Sequence, residues 1–406
     1  MPAYIYTARA KDGKKQKGTL TAETRQALNT MLQSRGLTPI SIQEASAAAR
    51  AGLGKRRLGR KVKTTELLVF TRQLSTIVSA GLPLLQGLDI LAEQTDDLNF
   101  AAVIENVGQD VESGESFSNS LTKYPRVFPD LYVSMVRAGE AGGDLDGVLL
   151  QLADYLEATE ELKRRIKSAM TYPVVAFSMI LLIAAGLVVW VVPQFAEIFS
   201  SFGRQLPAPT RALIATSEIL RSWKALIFVA VFIAAIIGAK FYSKTPIGRL
   251  TMDMLKLRLP VFGALLRKVA ISRFARTLST LTRSGVPILQ ALEIVERTSG
   301  NEVFARAVRN AGDSVRSGET LADPLERCQQ FPRMVTRMIA VGEKTGALEG
   351  MLMKISDFYD SEVKAAVDSM TSLIEPILIM MMGLVVGSIV VALFMPILQL
   401  SSLVQA

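Results

Sequence analysis

One stretch of this chain occurs twice, and each copy ends in an apolar run long enough to cross a membrane. FTRQLSTIVSAGLPLLQGLDIL, from Phe70 to Leu91, returns as FARTLSTLTRSGVPILQALEIV from Phe274 to Val295. The match resumes at Ser113 to Glu115 and Ser317 to Glu319, then at Gly139-Glu140 with Gly143 and at Gly342-Glu343 with Gly346. It closes on two proline pairs, Pro173 with Pro376 and Pro193 with Pro396, which bracket the apolar runs. The offset of about 204 residues falls by one midway, and a period that long marks a duplicated domain, not a solenoid array. One fold must therefore serve both copies and join a polar helical segment to a membrane helix.

Half of the 406 residues are hydrophobic while 20% are charged, and mean hydropathy is +0.31. Apolar residues must then be concentrated locally, and three stretches hold them: 169–195, 223–242 and 373–398. A crossing needs about 20 apolar residues. The first and third qualify outright. The middle one reaches that length only with Trp223 and Tyr242 in the interfacial belt and Lys224 and Lys240 snorkelling outward. The duplication supplies its own reason for this middle crossing, because the second copy starts on the same side as the first only if the chain returns.

Basic residues set the orientation. Lys163, Arg164, Arg165 and Lys167 precede the first span, and Lys240, Lys244, Arg249, Lys256 and Arg258 follow the second. The stretch between those spans carries Arg204, Arg211 and Arg221, and the tail after Leu398 has no charge. The positive-inside rule then places both repeats and the N-terminus in the cytoplasm. The net charge of +9 lies largely beside the spans and in one linker, where anionic lipid explains it better than nucleic acid does. Cys328 is the only cysteine, which excludes an intrachain disulfide and fits a reducing compartment. The first twenty residues show no cleavable signal peptide.

The expected fold is mainly α and integral to the membrane: two duplicated cytoplasmic six-helix bundles, three transmembrane helices and a small N-terminal ββαβ segment. Residues 1–45 supply that segment, and 46–63 form a flexible basic linker. The first repeat covers 64–168, the first span 169–195 and a periplasmic loop 196–222. The second span is 223–242, the second repeat 243–368, the third span 373–398 and a periplasmic tail 399–406. Matching breakers (Gly81 with Gly285, Pro83 with Pro287, Gly114 with Gly318, Pro129 with Pro332) imply matching helix lengths.

Catalytic equipment is missing. The chain has no histidine, which removes the commonest general base and metal ligand and any Ser-His-Asp triad. No Walker, dinucleotide or EF-hand pattern is present, and the GKRRLGRK of the linker has Arg60 where a phosphate loop needs lysine. No enzyme, cofactor or metal is expected. Glu140 and Glu343 sit in Gly-Glu-x-x-Gly turns; they read as structural charges at a helix start, as a partner-docking corner, or, for Glu140 with Asp144, as half a carboxylate cation site. Glu375, just before Pro376, is an ionisable group at the membrane edge: an interfacial anchor or a proton or helix-pairing site. Gly383 and Gly387 form a GxxxG pattern that permits close helix packing and hence dimerisation.

These residues resemble a known family. The GVPILQALEIV opening, the VGEKTGALEGML and RAGEAGGDLDGVL turns and the final IEPILIMMMGLVVGSIVVALFMPIL span are similar to the secretion F-protein family, the inner-membrane platform of type IV pilus assembly and type II secretion. The resemblance covers about residues 64–400, and the N-terminal segment fits the family's usual start. It implies a non-enzymatic, multi-pass protein of the bacterial inner membrane that couples a cytoplasmic hexameric ATPase to the insertion of pilin or pseudopilin subunits. Other inner-membrane assembly proteins and further copies of the chain, as a dimer or larger assembly, are the remaining implied partners. The LIEP-type final span and the basic linker favour the pilus side. A small transporter and a membrane-anchored receptor or regulator are the competing readings.

Overall fold

The computed structural model describes residues 3–9, 15–21, 38–44, 61–200, 207–260 and 262–404. Three strands open it: β1 (Ala3–Arg9), β2 (Lys15–Thr21) and β3 (Thr38–Glu44). They form an antiparallel sheet of order β2-β1-β3, with Tyr4 opposite Leu20 on one side and opposite Glu44 on the other. The helix expected between β2 and β3 and most of the basic linker lie outside the described residues.

The first copy folds as α1 (Thr64–Ser79), α2 (Leu84–Gln94), α3 (Leu98–Glu112), α4 (Phe117–Thr122), α5 (Asp130–Gly142) and the long α6 (Leu145–Gly186). A π-helical turn at Leu187–Val191 leads into α7 (Val192–Ser200). The stretch expected as a periplasmic loop contains α8 (Ala208–Arg221), and α9 (Trp223–Tyr242) follows. The second copy adds a helix the breakers did not announce, α10 (Pro246–Arg258). It continues as α11 (Phe262–Arg283), α12 (Ile288–Thr298), α13 (Glu302–Arg316), α14 (Ala322–Arg327), α15 (Arg333–Thr345) and α16 (Leu348–Val404).

Matching breakers did produce matching lengths. The helices α2 to α5 have 11, 15, 6 and 13 residues, and α12 to α15 have the same four lengths. Each copy centres on three phenylalanines at equivalent positions. Phe70 packs edge-on to Phe100 at 5.3 Å and lies 6.2 Å from Phe128; Phe331 lies 4.9 Å from Phe274 and 5.3 Å from Phe304. All six are buried, and such edge-to-face pairs add about 0.5–1.5 kcal/mol beyond their burial. The one-residue drop in offset falls just before Phe331. There the shorter connection puts Gln329 in the left-handed region at φ 57°, a conformation that costs an L-residue about 1–2 kcal/mol.

Two helical stretches are long and apolar enough to cross a membrane: Leu145–Phe195 and Leu348–Met395. A third is available if Ile227–Tyr242 is counted with Pro246–Arg258, to which it is bent by 111°. Of that pair α9 is the apolar member, with Lys224 and Lys240 near its two ends, and its 20 residues span about 30 Å at roughly 1.5 Å per residue. The chain divides into two compact units, 1–153 and 154–406, and the boundary falls within α6.

Candidate functional site

Each copy presents a candidate site of its own, a corner and the long helix that it launches. At the first corner Gly143 caps α5 in the left-handed conformation, φ 73°, and the Asp144 N–H donates to the Gly139 carbonyl at 3.0 Å. Gly346 repeats this at φ 71°, the C-terminal position where glycine avoids a Cβ penalty. Gly139 and Gly342 serve a different need, close approach. A Cβ on Gly139 would lie 3.0 Å from Val148 Cβ, and one on Gly342 would lie 2.9 Å from Leu348 Cα. Each glycine therefore lets its helix press against the start of the following long helix.

The glutamates reach elsewhere than the helix they precede. Glu140 accepts from the Phe117 N–H at 2.5 Å and the Ser118 N–H at 3.0 Å; Glu343 accepts from the Leu321 N–H through both carboxylate oxygens, at 2.8 and 3.1 Å. Each carboxylate thus satisfies free backbone donors at the start of a six-residue helix, α4 or α14, about 22 residues upstream. Asp144 faces its own helix and accepts from the Gly147 N–H at 3.2 Å. Glu140 and Asp144 are therefore each engaged with backbone donors, and among the described residues no group of three or more Asp, Glu, His or Cys could hold a metal ion.

From these corners α6 and α16 run without a break into the apolar segments. Pro173 lies inside α6, and Pro376 and Pro396 lie inside α16, so these residues mark positions along continuous helices, not helix ends. Pro193 is the second residue of α7. Glu375 is exposed on α16 one residue before Pro376, which is exposed as well. Gly383 and Gly387 open onto free space: nothing lies within 4 Å of a Cβ built on either.

Between corner and membrane, α16 is held on several sides. Val363, Val367 and Met370 are buried with Leu265 of α11, and Leu162, Ile166, Ala169 and Met170 of α6 pack against them. Polar contacts reinforce the α11–α16 seam. Arg276 pairs with Asp360, Ser272 Oγ donates to Asp360 at 2.5 Å, and Lys268 donates to Glu362 at 2.7 Å. Burial pushes the Arg276 guanidinium below its ordinary value, and the nearby Asp357 opposes that shift. The Tyr155 and Thr277 hydroxyls, 3.2 Å apart, join α6 to α11. Of the basic residues ahead of the span, Lys163 pairs with Glu160 at 3.1 Å and Arg165 with Glu161 at 2.8 Å, while Arg164 and Lys167 are exposed.

Beyond α6, the π turn and α7 meet the far part of α16. Val188 and Val192 are buried with Ile389 and Leu393, and Leu213 and Ile214 of α8 pack against them. Thr210 Oγ1 donates to the Ala392 carbonyl at 2.5 Å and Ser217 Oγ to the Val188 carbonyl at 2.7 Å. The second contact explains how the π turn is tolerated, since its irregular backbone gains a side-chain donor. Neither α8 nor these hydroxyls were singled out in the sequence, although Thr210 and Ser217, seven positions apart, share one face of an amphipathic helix.

Comparison with known proteins agrees with this architecture. The model of the family described as type II secretion system protein F matches residues 70–193 and again 274–396, and that of its N-terminal domain matches 1–43. The chain is 43% identical to a type IV pilus assembly protein PilC of Thermus thermophilus, over 98% of each chain. It is 40% identical to a PilC of Myxococcus xanthus, over 99% of this chain and 96% of that one. Identity to a type II secretion system protein F of Pseudomonas aeruginosa is 36%, over the whole of both chains. The two matched stretches are the two copies of the repeat, and the chain belongs to the type II secretion system protein F family.

Proposed function

We infer that this chain is the non-enzymatic inner-membrane platform of a type IV pilus or type II secretion machine. It couples a cytoplasmic assembly ATPase to the insertion of pilin or pseudopilin subunits. The continuity of α6 and α16, 42 and 57 residues without a break, carries this reading. A push on either corner is delivered along a rigid rod into the bilayer. The LIEP-type final span and the basic linker favour the pilus side.

On this reading each copy works as a six-helix bundle in the cytoplasm, a ββαβ segment precedes the first, and α9 is the returning span. The corner residues Gly139, Glu140, Gly143, Gly342, Glu343 and Gly346 then form two related docking faces for the ATPase and its inner-membrane partners. The open Gly383–Gly387 face of α16 supports contact with a second copy of the chain. Glu375 serves as an interfacial anchor, and Glu375→Gln is expected to leave assembly intact.

A four-residue Gly-Ser insertion after Lys167 tests the transmission reading. It should abolish filament assembly while the full-length protein remains in the membrane fraction at wild-type level. Assembly retained with such a flexible break would overturn the rigid-rod mechanism.

A further inference from the structure

The chain turns sharply where α9 ends. The axes of α9 and α10 differ by 111°, so α10 runs nearly across the direction of the apolar helix before it. The Thr245 hydroxyl caps α10 by accepting from the Gly248 N–H at 3.0 Å, and Pro246 takes the first helical position. A Cβ on Gly248 would collide with the Tyr242 carbonyl, and one on Gly263 with the Leu257 carbonyl. Close backbone approach thus fixes the bend at each end of α10.

Both ends of α10 stand at the edge of apolar segments. Its start lies four residues after Tyr242, the last residue of α9. Its end leads into α11, which runs antiparallel to α16: Lys268 donates to Glu362, and farther along α11 Ser279 Oγ donates to the Glu349 carbonyl. At the near end of that seam Leu265 is buried with Met370. Met370 lies three residues before Leu373, where the exposed large apolar side chains of the third apolar segment begin. Phe262 opens α11 and is exposed, about 4.5 Å nearer that segment than Leu265 at roughly 1.5 Å per residue. The 13 residues of α10, about 20 Å in length, therefore join two points of similar depth.

The two faces of α10 differ in chemistry. Asp253 is buried, accepts from the Glu302 N–H at 2.9 Å at the start of α13 and pairs with Lys256 at 2.8 Å. Together with Arg249 they line a polar cleft shared with Glu296 and Arg309. Thr251 marks the opposite face: its Oγ1 lies 3.4 Å from the Tyr242 hydroxyl, so this face turns toward α9. Ile247, Met254 and Leu255 share it at helical spacing, and all three are exposed, Ile247 at 71% and Leu255 at 58%.

We propose that α10 is an interfacial helix resting on the lipid surface, with Ile247, Met254 and Leu255 sunk about 5–10 Å into the boundary between headgroups and acyl chains. A lipid surface is the occupant because the apolar face continues directly from the span that precedes it, while Arg249, Asp253 and Lys256 keep α10 out of the hydrocarbon. Lys244 and Arg258, exposed at the two ends of the helix, would meet the phosphates of anionic headgroups. The proposal rests on the reading of α9 as the returning span, and its test therefore reads α9 separately.

The test uses the full-length protein in vesicles of phosphatidylglycerol and phosphatidylcholine, with one nitroxide label per chain. The background is Cys328→Ser, since a serine hydroxyl can repeat the bond from Cys328 Sγ to the Leu325 carbonyl. Labels go on Ile247→Cys, Met254→Cys and Leu255→Cys on the proposed lipid face, on Arg249→Cys on the polar face and on Ile233→Cys in the middle of α9, all exposed positions. Paramagnetic resonance then compares collision with oxygen, which concentrates in lipid, and with a water-soluble nickel chelate. The oxygen-to-chelate ratio should be several times higher at Ile247, Met254 and Leu255 than at Arg249, and highest at Ile233. A label at Ile233 in lipid with chelate-accessible labels on every side of α10 would overturn the proposal and leave the span standing. Labels at Ile247 and Leu255 shielded from both reagents would overturn it too, and would mark a face covered by protein. Chelate access at Ile233 would overturn the span and the proposal together.

Discussion

Where the first copy places Glu160, Arg164 and Lys167 along its long helix, the second places Val363, Val367 and Met370 at the equivalent positions. The three apolar residues are buried against α11 and α6, whereas Arg164 and Lys167 are exposed. Inside the copies the substitution runs the other way. The first buries the hydroxyls of Thr71 and Tyr132, 3.3 Å apart, where the second has Ala275 and Val335. The same corners and helix lengths thus support two different rods. In the second the rod is packed against α11 and α6, and in the first it keeps a charged face, while the Thr71–Tyr132 hydroxyl pair is buried in the first copy alone.

Exchanging residues between the rods should break this contrast most sharply. Val363→Glu installs the first copy's residue at a fully buried position. Burying a carboxylate without a partner should cost about 5 kcal/mol or force the helix apart. Thermal denaturation of the detergent-solubilised protein should show a markedly lower midpoint, and the reciprocal Glu160→Val should leave it nearly unchanged. A Val363→Glu midpoint within about 2 °C of wild type would mean that the rod is not packed as described.

The corners should behave alike, because their geometry is shared. Removing either carboxylate, by Glu140→Ala or Glu343→Ala, strands backbone donors at the start of α4 or α14. A charge-assisted hydrogen bond contributes about 1.5–3 kcal/mol, so a loss of about 2 kcal/mol is expected at each corner. Hydrogen exchange should localise it: Glu140→Ala raises exchange at Phe117 and Ser118, and Glu343→Ala at Leu321. Exchange that rises only at α6 or α16 would show that the glutamates support the following helix instead.

Much of this symmetry was legible in the sequence because it rests on residue types with one strong local preference. Gly143 and Gly346 announce a left-handed cap, and four matched breaker pairs announce four matched lengths. The partner of Glu140 was not legible. Its nearest helix start in sequence is that of α6, yet the carboxylate folds back to α4, and only tertiary placement decides between them. The three phenylalanines of each core were within reach, since Phe70, Phe100 and Phe128 align with Phe274, Phe304 and Phe331. Helix α8 was missed because Arg211, Glu218 and Arg221 dilute its apolar face.

The buried Thr71–Tyr132 pair of the first copy should reveal itself in alkali. Burial pushes the Tyr132 phenol well above its ordinary value, while the hydrogen bond from Thr71 acts weakly the other way. With the folded value raised, the neutral form is the one that the fold favours. Stability is fully present below the unfolded value of about 10 and falls as pH rises beyond it, by up to about 1.4 kcal/mol per pH unit. Hydrogen exchange in the first copy should accelerate between about pH 10 and 11 relative to Tyr132→Phe, while the second copy, with Val335 at that position, serves as the internal control. Equal acceleration in wild type and variant would assign the alkaline loss to other groups.

The smallest expected effect is a gain. Ser356 is fully buried on α16, and its hydroxyl has no hydrogen-bond partner among the described residues. The first copy has Ala153 at the equivalent position, equally buried, so this packing environment already accepts a methyl group. An unsatisfied buried hydroxyl costs about 1–3 kcal/mol. Ser356→Ala should therefore stabilise the second copy by about 1 kcal/mol, and Ala153→Ser should destabilise the first by a similar amount, both read as shifts in the thermal midpoint. Opposite shifts of similar size would show that the copies share one packing solution at this level of the rod, below the point where their faces diverge. An unchanged midpoint in Ser356→Ala would show that the hydroxyl is satisfied in solution and that the copies already differ there.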